Sequence, residues 1–211
     1  MIAAEGVLIA LAMPMLAVLP VARQETRRVL VCQVAGMLAC LLGAYINTFL
    51  AFLMGLDSLD AAVVVAPMVE EVFKYLPLVF YVVVFEPERR RILDAALAIG
   101  AGFALFETSA HLMQAAPGAL PHLLLRGLSA GAMHTGCTAI VGLTLSFSRE
   151  AGWPRFTAMA GVLCIAIIYH AIYNLLVSFP GPLRFLGYAL PLTVALLAGI
   201  ASLRRVRPRA G

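Results

Sequence analysis

The chain has 211 residues, of which 63% are hydrophobic and only 12% charged, with a net charge of +4 and a mean hydropathy of +0.98. A soluble domain carries about twice that charged fraction, so this composition excludes a globular protein with a water-covered surface. The long unbroken apolar runs also exclude a β-barrel, whose strands alternate in short segments.

A membrane-spanning helix needs about 20 mostly apolar residues. Seven runs qualify, at about 3–20, 29–54, 61–85, 92–114, 120–147, 156–178 and 185–203, which predicts an all-α polytopic bundle. The first run lacks a basic leader and is followed by "VARQETRR" rather than a small-residue cleavage site, so it reads as a retained helix. Between the runs lie "ARQETRR", "LDSLD", "EPERRR", "AAPGALP", "SREAGWPR" and "PGPLR". No linker or repeat divides the chain, so residues 1–211 read as one membrane domain with its polar core between 61 and 178. Cys32, Cys40, Cys137 and Cys164 each stand alone in an apolar run and suggest neither a disulfide framework nor a thiolate site.

Twelve of the fifteen basic residues fall on one side of a seven-helix chain: Arg23, Arg27, Arg28, Arg89, Arg90, Arg91, Arg149, Arg155, Arg204, Arg205, Arg207 and Arg209. The other side has Arg184 with Asp57 and Asp60. By the positive-inside rule the N-terminus is expected outside and the C-terminus in the cytoplasm. The basic charge then belongs to topology and lipid headgroups, which argues against a nucleic-acid partner.

Two basic residues remain, Lys74 and Arg126, and both lie inside predicted helices. Ionisable groups within spans are rare and usually face the bundle interior or a functional site. The third helix carries Glu70, Glu71 and Lys74; the fourth Glu107 and His111; the fifth Arg126 and His134; the sixth His170 and Asn174. Counted at 1.5 Å per residue, Glu70, Glu107 and His170 lie about 14, 10 and 12 Å from the outer face, and His134 about 20 Å on a long, tilted helix. Four helices thus offer polar groups at a common level.

Glu70 and Lys74 are four apart and Glu71 and Lys74 three apart, so the lysine reaches either carboxylate. One lysine cannot neutralise both; a second partner, a shared proton or a metal ion is required. Pro67 and Pro77 flank this set and free backbone carbonyls that must find partners. Taken singly, His111 and Asn174 also read as interhelical hydrogen-bonding groups. His122 and Asp94 read as structural, and Tyr45 and Asn47 as interhelical contacts or cavity lining. Arg126 either snorkels outward or pairs with a site carboxylate.

Four ordered motifs, "EEVFK" (Glu70 to Lys74), "FALFE" (Phe103 to Glu107), "RGLSAGAMH" (Arg126 to His134) and "HAIYN" (His170 to Asn174), span residues 67–174. Together they resemble the PrsW family of intramembrane proteases and, more distantly, the CAAX prenyl and bacteriocin-processing membrane proteases. Glu107 stands where those distant relatives carry histidine, which points to the PrsW branch. The resemblance implies an endopeptidase of the bacterial cytoplasmic membrane that cuts a membrane-anchored, anti-sigma-factor-like protein near the outer leaflet.

Two mechanisms stay open at this stage. Glu70 or Glu71 acts as base on a water molecule, with His134 and His170 as orienting groups or acids, Asn174 at the oxyanion, and Lys74 and Arg126 in support. Alternatively Glu107, His134 and His170, or one of the paired glutamates with the histidines, hold zinc or another divalent cation. The competing class is a transporter whose buried Glu and His carry protons or cations, for which an inverted repeat would be expected; none is evident.

Overall fold

The computed structural model describes residues 4–114, 120–148 and 154–206. Arg149, Arg207 and Arg209 of the basic set lie outside these ranges, as do the side chains of Arg155, Arg204 and Arg205. The described residues form seven helices: α1 (Ala4–Ala17), α2 (Gln24–Met54), α3 (Ala66–Phe85), α4 (Arg89–Met113), α5 (Leu120–Ser148), α6 (Pro154–Ser178) and α7 (Pro182–Val206). No strand occurs among them. All seven expected helices are present, and five of them, α2 and α4 to α7, are long and apolar enough to cross a membrane. Helix α1 has only 14 residues. Helix α3 has 20, but every window of spanning length includes Glu70, Glu71 and Lys74.

Helices α2 and α4 begin earlier than their apolar runs, through charged residues. Helix α2 starts at Gln24 because the charged "QETRR" is itself helix-forming. Arg27 also donates from Nε to Ala22 O and from Nη2 to Pro20 O, both at 2.8 Å, closing the preceding turn. Helix α4 likewise starts at Arg89, whose guanidinium lies 3.4 Å from the centre of the Phe147 ring at the end of α5. Helix α2 ends on Gly55, whose φ of 64° suits a residue without a Cβ.

Before α3 the chain does not run straight into an α-helix. Asp57 Oδ1 accepts from the amides of Leu59 and Asp60 at 2.9 and 2.8 Å, and Ala61–Val65 follow as a π-helical turn. In that turn Ala66 N–H donates to Ala61 O, five residues back. The next donor in that register would serve Ala62 O, but it falls on Pro67, which has no N–H. Asn174 Nδ2 fills the gap, donating to Ala62 O at 2.8 Å.

Helix α4 is the central pillar, packed between α2 and α5. A Cβ on Gly36 would overlap Ile99 O, and one on Gly102 would overlap Gln33 O, so the α2 and α4 backbones touch directly. A Cβ on Gly100 would sit 2.8 Å from Thr135 Cα and 3.0 Å from His134 O, which brings α5 equally close at the level of a site histidine. One apolar cluster joins Leu78, Ile92, Ile99, Met133, Cys137 and Tyr173 across α3 to α6. A second gathers Met37, Leu41, Phe103 and Phe106 under α1. Large apolar side chains such as Phe49, Phe52, Phe80 and Leu196 face outward, while Glu71, Lys74, His134 and His170 are buried. That inversion is what a lipid solvent demands.

Candidate active site

Helix geometry puts Glu71 and Lys74 on one face of α3, and Lys74 Nζ donates to Glu71 Oε1 at 2.6 Å with both side chains 1% exposed. The same ammonium lies 3.0 Å from His134 Nδ1 and 5.0 Å from the Phe103 ring centre. Glu71 Oε1 also accepts from His170 Nδ1 at 2.8 Å. Glu71 is therefore committed to the interior: its Oε1 alone meets both Lys74 and His170, and the side chain is 1% exposed.

Glu70 points elsewhere. Its Oε1 accepts from Asn47 Nδ2 of α2 at 3.2 Å, and its Oε2 lies 3.7 Å from His170 Nε2. Its side chain is 15% exposed. Of the two adjacent glutamates, Glu70 is the one with a free approach.

Glu107 of α4 is the third carboxylate. Its Oε2 is 2.6 Å from His134 Nε2; its Oε1 is 3.4 Å from Arg126 Nη2 and 3.5 Å from His111 Nε2. Glu107 and Arg126 are each 21% exposed, so Arg126 pairs with the site rather than snorkelling away. The two imidazoles meet edge to face at 4.9 Å.

This pattern assigns the ring tautomers. His170 carries its proton on Nδ1, toward Glu71, and leaves the Nε2 lone pair facing Glu70. His134 accepts from the ammonium at Nδ1 and carries its proton on Nε2, toward Glu107. Each histidine is thus backed by a carboxylate, the arrangement typical of imidazoles that serve as metal ligands.

The structure brings together Glu70, Glu71, Lys74, Glu107, Arg126, His134 and His170 from four helices. Asn174, expected at the oxyanion, is instead engaged one turn away on Ala62 O. Of the carboxylates expected to join the two imidazoles, Glu107 or one of the paired glutamates, it is Glu70 that shares a common centre with both rings, while of the two rings Glu107 touches His134 alone. Among the described residues, the group able to hold a metal ion is Glu70, His134 and His170, with ligand atoms all within 4.8 Å of one another. His122 meets Tyr188 Oη at 3.4 Å, away from the site, and Asp94 is exposed at the start of α4.

Sequence reasoning left Asn47 undecided, because a neutral amide in a span is common. Its Nδ2 holds Glu70, while its Oδ1 is buried and without a partner among the described residues. Ser129 was also missed. It is fully buried and ties Arg126 O (3.0 Å) to Tyr173 Oη (2.9 Å), fixing the turn that presents Arg126.

No curated protein and no solved structure gives a significant match to the chain. The family model for PrsW family intramembrane metalloprotease matches residues 24–200, a stretch that includes every site residue named above. The chain belongs to the PrsW family of intramembrane metalloproteases and is a peptidase.

Proposed function

We propose that the peptidase reaction runs at a divalent metal centre held by Glu70, His134 and His170, with zinc as the metal. The observation that carries this reading is the convergence of one carboxylate and two carboxylate-backed imidazoles within 4.8 Å. The donor set fits: one carboxylate oxygen and two imidazole nitrogens match the protein ligands of many catalytic zinc sites. His170 would use Nε2, already turned toward Glu70. His134 would use Nδ1, which requires Lys74 Nζ to withdraw from it onto Glu71. A metal so held supplies Lewis-acid polarisation of the scissile carbonyl and acidification of bound water.

The chain's own residues do the rest. Glu71 and Glu107 hold the protons of His170 Nδ1 and His134 Nε2 and so fix both rings. Lys74 offsets part of the charge of three glutamates, and Arg126 and His111 lie against Glu107 Oε1. Glu107 is exposed enough to meet solvent, and its Oε1 takes the proton of the attacking water and returns it to the departing amine. Asn47 aligns Glu70. Asn174 holds the π-turn that sets the position of Glu70 along α3.

The substrate, on this reading, is a membrane-anchored protein of the anti-sigma-factor type, cut near the outer leaflet of a bacterial cytoplasmic membrane. The loop arginines support an N-terminus outside. Cysteine at position 58 should then react with an impermeant reagent added from outside. Labelling only from the cytoplasmic side would invert the topology.

Cleavage of a co-expressed single-span reporter, read together with metal content, tests the assignments. Glu70→Gln and His170→Ala should lose both metal and cleavage while the protein accumulates. Glu107→Gln should keep the metal and lose cleavage. Full cleavage by metal-free protein, abolished by Glu70→Gln, would move the base to Glu70 and remove the metal from the reaction.

A further inference from the structure

At the end of the bundle where α2 and α4 begin and α3 ends, a cavity of about 400 Å³ is lined by Gln24, Arg27, Arg28, Val31, Cys32, Tyr81, Phe85, Pro87 and Arg91. Its lining divides by chemistry. Three guanidinium groups stand on the loop side. Val31, Cys32 and Tyr81 lie one turn further into their helices, and Phe85 closes the end of α3, with the Tyr81 and Phe85 rings 5.6 Å apart.

The three arginines are not equivalent. Arg27 spends Nε and Nη2 on backbone carbonyls. Among the described residues Arg91 pairs with Glu88, with Nε and Oε2 4.0 Å apart. Arg28 is half-buried, yet it makes no hydrogen bond or ion pair among the described residues. A guanidinium whose donors are unspent has a planar fork that suits a phosphate. Carboxylates are near: Glu25, Glu88 and Asp94 line an adjoining cavity of about 660 Å³ that shares Arg28 and Arg91. None of them lies within ion-pair distance of Arg28.

We propose that this cavity is a binding site for one anionic phospholipid, its phosphate held by Arg28 and Arg91 and an acyl chain laid over Val31, Tyr81 and Phe85. Position favours a lipid over a free anion. The cavity lies at the loop end of spanning helices, where headgroups sit, and an aromatic pair marks the depth at which rings meet that boundary. Its apolar wall would be wasted on inorganic phosphate. The site lies outside the Glu/His network and does not rest on the metal reading. By joining α2, α3 and α4, a bound lipid would brace the helix that carries Glu70.

Binding of phosphatidylglycerol, phosphatidylcholine and inorganic phosphate to the detergent-purified full-length chain tests the proposal. Native mass spectrometry would read lipid retention, and titration would give the affinities. The wild-type chain should retain one phosphatidylglycerol, bind it at least tenfold tighter than phosphatidylcholine, and keep it in millimolar inorganic phosphate. Arg28→Gln combined with Arg91→Gln should lose that preference at least tenfold, whereas Arg184→Gln should keep it. Equal binding of the two lipids, displacement by inorganic phosphate, or an unchanged preference in the double variant would each overturn the proposal. The comparison of the three ligands on the wild-type chain decides even where the double variant does not fold.

Discussion

The two adjacent glutamates of α3 have opposite surroundings. Glu71 faces inward to Lys74 and His170 at 1% exposure, whereas Glu70 faces Asn47 and the accessible side. Removing one member of a buried ion pair leaves the other charge uncompensated and costs about 3–5 kcal/mol. Lys74→Met should therefore destabilise strongly, seen as lost yield and a lowered unfolding temperature. Combining it with Glu71→Gln should recover part of the loss, because no orphan charge remains. Asn47→Leu should leave the fold intact and lower both metal affinity and reporter cleavage about 10–100-fold, the usual effect of losing an outer-shell partner. Wild-type metal affinity in Asn47→Leu would show that Glu70 needs no such support. Sequence alone pointed to these glutamates because charges in a span are anomalous. It could not separate them: neighbours in sequence differ by about 100° around a helix, and only the packing of α2 and α6 around α3 decides which one meets Asn47 and which binds Nδ1 of His170.

Among the elements, α3 depends most on its neighbours. The π-turn at Ala61–Val65 shifts every later residue around the helix axis, so the bearing of Glu70 and Glu71 depends on that turn being held. Asn174 holds it by taking the carbonyl that Pro67 cannot serve. Asn174→Leu should cost about 1–3 kcal/mol, the penalty of an unsatisfied buried carbonyl, and should lower cleavage with it. Pro67→Ala supplies an N–H in the right register for Ala62 O, so adding it to Asn174→Leu should restore stability. A double-mutant cycle by thermal unfolding measures this, and an additive result would sever the proposed link. The sequence foretold that a proline-freed carbonyl needs a partner, but the partner is 112 residues away and only the fold could name it. Helix existence was legible throughout, since each apolar run forms a helix, five of them long and apolar enough to cross a membrane. Helix ends at Gln24 and Arg89 were not, because charged residues that look like loop continue the helix beyond the apolar run.

For the molecule as a whole, the arrangement is a bundle with apolar side chains outward and a charged seam inside, three carboxylates facing Lys74, Arg126 and two imidazoles. Membership of a peptidase family decides against the transporter considered from sequence. The α2 and α4 backbones touch directly at Gly36 and Gly102, and α2 in turn carries Asn47 to Glu70. Gly36→Val should therefore prevent accumulation of folded protein, checked by detergent-resistant size-exclusion behaviour. Unaltered behaviour would mean that the two helices can separate without loss. The chemistry turns on one claim: that Glu70, His134 and His170 hold a metal. Metal stoichiometry of purified, active protein tests it most directly. About one zinc per chain, lost in His134→Ala and His170→Ala and kept in Glu107→Gln, is the expected result; active protein with no bound metal would contradict it.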